Sequence, residues 1–231
     1  MKKEKWSDAS HRILEQATGL HRYNHWLISH FDDFFGQAIL EIGSGQGALS
    51  RLLPSKAIVI LSDIIPEYLE GLKRSFTDPV LNLDIEKEAP IKLMGKMDTI
   101  FSSNVFEHIK NDNQAFANCY KLLASDGQLL LFVPARPEIY GKMDEAMGHY
   151  RRYTKTELKT KALKAGFKIK HIYYANWPGY FLWWGRGMFG SSKSDNFFAK
   201  VFDSLIVPLL YLEKHLHPPF GQSLVLIVKK P

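Results

Sequence analysis

Two patterns of apolar and polar positions alternate along the 231 residues. Short apolar runs bounded by turn formers occur at 38–42, 57–61, 80–83, 96–101, 128–133, 167–175 and 223–228, and each predicts a strand. Between them apolar residues recur at helical spacing. Tyr23, Trp26, Leu27, Phe31, Phe34 and Phe35 predict a helix that Gly36 stops. Pro66 predicts a helix start, because a missing N–H costs nothing in a first turn. A further helix is expected over 113–123. Thr154 and Glu157 form a capping box that opens another, running to Ala165 with Gly166 as its stop. Strand and helix alternate, so the expected fold is α/β, a mostly parallel sheet wrapped on both faces.

Two stretches break the alternation. Residues 134–153 are rich in Pro, Gly and aromatics and come after a strand's C-terminal end, where substrate loops sit. Residues 176–221 form an insertion: Trp177, Tyr180, Phe181, Trp183, Trp184 and Phe189 crowd its start. Phe197, Val201, Phe202, Leu205, Ile206, Leu209 and Leu212 then recur at helical spacing, with Pro208 expected to kink that helix. Lys200 and Asp203 interrupt the run, so it is not expected to span a bilayer. A cap on the domain, a lid, or an interfacial helix all fit. The expected division is an arm and cap helix at 1–36, a core at 37–175, the insertion at 176–221, and a last strand within 222–231.

Lys and Arg number 30 against 24 Asp and Glu, a net charge of +6. That suits an acidic acceptor or an anionic surface. No dense basic block or nucleic-acid module is seen, so nucleic acid is not an expected partner. Cys119 is the single cysteine and allows no intrachain disulfide. The charged N-terminus lacks an apolar run behind it, so the expectation is a cytoplasmic protein, with peripheral membrane contact through the insertion. A monomer or homodimer is expected. The pairs His21/His25 and His215/His217 lack a third ligand at metal spacing, and no metal is expected.

The first strand runs out into Glu41-Ile42-Gly43-Ser44-Gly45-Gln46-Gly47-Ala48. A strand, a Gly-rich turn and a helix start would make a nucleotide cradle at the sheet's carboxyl edge. Gly43, Gly45 and Ala48 fit the relaxed dinucleotide fingerprint, so an NAD-dependent oxidoreductase is one reading. Glu41 argues against it, since a carboxylate there repels a pyrophosphate and tolerates a cationic ligand. Asp63, about 20 residues on, stands where an acidic side chain can accept from both ribose hydroxyls.

With these residues in place, the chain resembles the class I S-adenosylmethionine (SAM) dependent methyltransferases over nearly its full length. The resemblance implies a Rossmann-like sheet of seven strands with the last antiparallel beside the sixth. It implies SAM as cofactor, with Gly43, Gly45 and Gly47 around its methionine part, Glu41 near the ammonium and Asp63 on the ribose. Asp84 would meet the adenine amino group and Ile85 the ring, with Asn104 beneath the cofactor. Ser44, Ile64, Val105 and Tyr23 complete the expected contacts. Phe106-Glu107-His108 resembles the "LEHI"-like run of bacterial members. Arg22–Trp26 and Gly148-His149-Tyr150-Arg151-Arg152-Tyr153-Thr154, preceded by Asp144, resemble segments of methyltransferases from the surface-glycan and lipid neighbourhood. A small-molecule or lipid- or glycan-linked acceptor, methylated at oxygen, is the expectation. A SAM-fold scaffold without turnover is the alternative.

A hydroxyl or amine acceptor requires a base to remove its proton. His149 is the first candidate, in the expected substrate loop and with an ordinary pKa suited to neutral pH. His108 is second and Glu107 third. Arg151 and Arg152 carry planar forks suited to a phosphate or carboxylate, and Tyr140 and Trp177 complete the expected acceptor contacts.

Overall fold

The computed structural model describes residues 19–87, 89–189, 202–216 and 218–231. Its sheet has seven strands in the order β3-β2-β1-β4-β5-β7-β6. They are β1 (Ala38–Ile42), β2 (Ile58–Asp63), β3 (Val80–Asn82), β4 (Met97–Ser103), β5 (Leu123–Pro134), β6 (Lys168–Ala175) and β7 (Ser223–Lys229). All neighbours pair parallel except β7, which lies antiparallel between β5 and β6. The expected fold is therefore the observed one.

Side chains alternate across the sheet because the strand repeat is two residues. Leu129, Leu131 and Val133 of β5 and Leu224, Leu226 and Val228 of β7 enter one core. Leu130 and Phe132, with Val225 and Ile227, enter the other. The first core is covered by α3 (Asp112–Leu122), through Ala115, Phe116, Cys119 and Leu122, and by α5 (Lys155–Lys164), through Leu158 and Ala162. On the second face, α1 (His21–Ile28) brings Trp26 and Leu27, α2 (Pro66–Ser75) brings Leu72, and α7 (Val207–Leu216) brings Val207 and Leu210. The Trp26 indole N–H donates to the Leu210 carbonyl at 3.1 Å. Part of the insertion is thus a wall of the core.

The insertion leaves and rejoins the sheet at one knot. Asn176, at φ +61°, comes after β6 and precedes α6 (Trp177–Phe189). Its side-chain oxygen accepts from the Gly179 N–H at 3.0 Å, and its amide donates to Gln222 Oε1 at 2.9 Å. Gln222 immediately precedes β7.

Several local expectations change. The N-terminal helix ends at Ile28, short of Phe35, and a separate 3-10 turn stands at Asp32–Phe34. Phe31 sits between the two, packing edge-on against Phe101 and Phe35 from a non-helical backbone. The Gly-rich turn does not open into an α-helix, and a 3-10 turn at Ser50–Leu52 stands there instead. Pro54 forces Leu53 to extended backbone and cuts the helix short. Pro208 stands two residues after a π-helical turn at Phe202–Ile206 that runs without a break into α7, so the helical run changes its winding where the proline removes an N–H. The loop after β5 holds a short helix, α4 (Lys142–Met147). Trp184, Phe189, Phe197, Lys200 and Val201 lie where the side chain or the residue is outside the described set, as do residues 1–18 and His217.

Candidate active site

The Gly-rich turn is shaped by its own surroundings. Gly43, Gly45 and Gly47 all have positive φ, at +75°, +53° and +78°. A side chain at Gly43 would strike Val105, and one at Gly47 would strike Phe76, so the turn needs glycine for space as well as conformation. Gly43 and Ser44 both donate their N–H to the Ser62 carbonyl at 2.8 Å. The Asp63 carboxylate ties the same turn to the end of β2. Its Oδ2 accepts from the Gly45 N–H at 2.9 Å, and its Oδ1 from the N–H groups of Ile64 and Ile65 at 2.7 and 2.9 Å. Burial raises the Asp63 pKa against the pull of those three donors.

Glu41 lies behind the turn, buried, accepting from the hydroxyls of Ser44 at 2.9 Å and Ser50. Burial pushes its pKa to about 7, with the two serines pulling it down and Asp63 pushing it up. Two carboxylates therefore back the cradle, and a helix N-terminus does not. That electrostatic environment suits a cationic ligand and opposes a pyrophosphate.

Around the cradle, Ile64 is 52 % exposed beside Asp63, an apolar surface for a ring. Asn104 is exposed at the end of β4 with φ +52°, its N–H on the Phe132 carbonyl. Asp84 is half-buried, pairs with Lys87 at 2.9 Å and accepts from the Glu86 N–H at 3.1 Å. Ile85 is buried in the core. Tyr23 is turned towards the insertion, bonded to Asn176 near Glu213.

Beside Val105, the 3-10 turn Phe106–His108 meets the loop after β5. Tyr150 N–H donates to the Glu107 carbonyl at 2.8 Å. Asp144 organises the meeting. Fully buried, its Oδ1 accepts from His149 Nδ1 and Arg152 Nε, both at 2.8 Å, and its Oδ2 from the Gly141 N–H and the Trp183 indole at 3.1 and 3.3 Å. Burial would raise its pKa, but His149 and Arg152 hold it below the usual range. An ionised Asp144 keeps the His149 proton on Nδ1 and turns Nε2 towards Glu107 Oε1, 3.9 Å away.

His108 packs edge-on against His149, ring centroids 4.6 Å apart. Burial, and after it the charge of His149, depresses its pKa to about 3, so it is neutral. Burial raises Glu107 to about 7. Neither Glu107 oxygen finds a hydrogen-bond partner in another described residue.

The Gly148–Thr154 segment works as a clasp. Arg151 pairs with Asp112 at 2.8 Å and bonds the Lys110 carbonyl. Arg152, buried, holds Asp144, donates to the Ala135 carbonyl at 3.1 Å and stacks on Trp183. Tyr153 donates to Asp112 Oδ2 at 2.8 Å. Both arginines are thus bound to carboxylates of the fold. Tyr140 donates to the His149 carbonyl at 2.7 Å, and Trp177 donates its N–H to Glu213 at 3.4 Å. The residue that the sequence left without a role is Asp144; its place just ahead of the Gly-His segment was the available signal.

Residues 40–131 match a family model described as a methyltransferase domain. Among curated proteins the chain is similar to a ubiquinone biosynthesis O-methyltransferase of Erwinia tasmaniensis, 24% identical over 120 residues, 48% of this chain and 49% of that protein. It is also similar to a non-reducing polyketide synthase of Gibberella zeae, 31% identical over 136 residues, 49% of this chain and 6% of that protein. The chain therefore spans about half, or far less, of the length of these relatives. Among solved structures it resembles phosphoethanolamine N-methyltransferase 2 of Haemonchus contortus in complex with S-adenosyl-L-methionine, TM-score 0.62 at 18% identity, covering 90% of this chain and 52% of that one.

Proposed function

From a chain that carries a methyltransferase domain in the class I methyltransferase fold, we infer transfer of a methyl group from SAM to a hydroxyl of a small-molecule or lipid- or glycan-linked acceptor. The observation that carries this reading is the acid-backed glycine turn at Glu41, Gly43, Gly45 and Asp63, inside the matched domain. Its residues fit the cofactor. The amino and sulfonium groups of SAM are cationic, the ribose needs an acceptor, and Ile64 offers an apolar face.

When bound, SAM supplies an electrophilic methyl on a positive sulfur that departs as a neutral thioether. The chain supplies alignment and exclusion of water. Asp63 fixes the turn through Gly45, and Val105 closes against Gly43. An acceptor hydroxyl must give up its proton, and His149 Nε2 is held for that by Asp144 on the opposite ring nitrogen. Phe181, Leu182, Leu205, Leu209 and Leu212 are each half or more exposed on the insertion, an apolar surface suited to a lipid-linked acceptor or a bilayer face. None of the described helices is long and apolar enough to cross a membrane.

Isothermal titration with SAM tests the cofactor, with saturable binding expected. No heat at millimolar SAM together with binding of NAD would overturn the reading. Release of S-adenosylhomocysteine with hydroxylated acceptors in an extract separates an enzyme from a scaffold.

A further inference from the structure

Glu107, His108 and His149 each direct one ligand-type atom into a common space, the three atoms lying within 4.8 Å of one another. Two come from the turn after β4 and the third from the clasp, so only the folded chain unites them. Around a zinc-sized ion, bonds of about 2.0–2.2 Å place ligand atoms roughly 3–3.5 Å apart. His149 Nε2 and Glu107 Oε1, at 3.9 Å, need to approach by only a few tenths of an ångström.

A second observation points independently to a ligand. The Glu107 side chain is fully buried, and neither of its oxygens has a hydrogen-bond partner in another described residue. Buried carboxylates are normally paired or coordinate a cation. Two imidazoles, those of His108 and His149, share the space that the carboxylate faces. Both of these are braced from behind. Asp144 Oδ1 accepts from the His149 Nδ1–H at 2.8 Å, and the Gly148 carbonyl accepts from the His108 ring. A carboxylate or carbonyl behind a histidine fixes its tautomer and ring plane, as around ligating histidines.

We propose that Glu107, His108 and His149 form a binding site for one divalent first-row transition-metal ion, with Asp144 as the residue that positions His149. Two imidazoles and one carboxylate suit Zn²⁺, Co²⁺, Mn²⁺ or Fe²⁺ better than Ca²⁺, which takes oxygen ligands alone. Three protein ligands leave positions open for a small molecule. The site stands two residues beyond Val105, which packs on Gly43 of the cradle. Its use there rests on the methyl-transfer reading: an acceptor hydroxyl bound to the ion loses its proton to water more readily, and its oxygen is held for the methyl group. His149 is then a ligand and not the base.

The test is cobalt uptake by the full chain, untagged and stripped with chelator, with neither SAM nor acceptor present. The expected result is one Co²⁺ per chain with visible d–d absorption, displaced by Zn²⁺, and a higher melting temperature with metal than without. Glu107→Gln and His149→Ala each weaken uptake at least tenfold, while His171→Ala, on β6, does not change it. Circular dichroism checks the fold of each variant. Glu107→Gln is expected to fold, since it removes a buried charge that lacks a partner. Absence of uptake by the wild type at millimolar cobalt, or wild-type uptake by both ligand variants, overturns the proposal. SAM titration of the same stripped protein keeps the two readings apart: a chain that binds SAM without taking cobalt retains the first and loses the second.

Discussion

The cradle and the cluster beside it are built in opposite ways. At the cradle every carboxylate is answered locally, Asp63 by three backbone N–H groups and Glu41 by two serines. At the cluster Asp144 carries four donors while Glu107, within the same small volume, has none from another described residue. A turn whose polar groups are satisfied in advance is preorganised, so its ligand does not have to order it. A buried carboxylate left open is a place where the structure awaits another group. Substitutions at the first region should therefore act on cofactor affinity, and substitutions at the second on turnover.

The largest effect is expected from Asp144→Ala. It strips partners from His149 and from the buried Arg152, and breaking a buried pair costs about 3–5 kcal/mol. Methyl transfer should fall by about 100-fold, because His149 loses the carboxylate that positions it. SAM affinity in the folded fraction should change little. Urea unfolding and calorimetric SAM titration read the two separately, and an equal loss in both would erase the distinction between the regions.

Next comes a pH effect at Glu41. The unfolded chain gives up this proton near the ordinary value of 4.5, and the folded chain holds it to about 7. Its protonation favours the folded state, so this contribution is complete below 4.5, fades between 4.5 and about 7 as pH rises, and is gone above. At about 1.36 kcal/mol per pH unit, the gap amounts to about 3 kcal/mol. The difference between wild type and Glu41→Gln, measured by unfolding from about pH 4 to 8 without cofactor, should show this fall. A flat difference would mean that the folded and unfolded chains hold this proton equally well, and would remove the effect of burial on Glu41.

Asp63→Ala should weaken SAM binding at least about tenfold, roughly 1.4 kcal/mol, through the ribose and the freed Gly45 N–H together. Unchanged affinity would remove Asp63 from the site. Asp84→Ala is the smallest, about two- to threefold, because Asp84 is partly exposed and already shared with Lys87. A larger loss there than at Asp63 would invert the ranking within the cradle.

The sheet, its strand spacing and the cradle are legible in the sequence because their determinants are local. Apolar runs mark strands, a glycine-dense segment marks the turn, and Thr154 caps its helix through the Glu157 N–H at 3.1 Å. The missing helix after the turn was also a local matter, written in Pro54. The cluster was not legible in that way. Glu107 and His108 are separated from His149 by α3, β5 and α4, and they are brought together by Arg151 on Asp112, Arg152 on Asp144 and the Tyr150 N–H on the Glu107 carbonyl. The same holds for α1 and α7, joined through Trp26 and Leu210 from opposite ends of the chain. Periodicity along a chain records which face of an element is buried. Which distant side chains meet, and which buried charge is left for a ligand to answer, was decided only when the sheet and its loops closed in three dimensions.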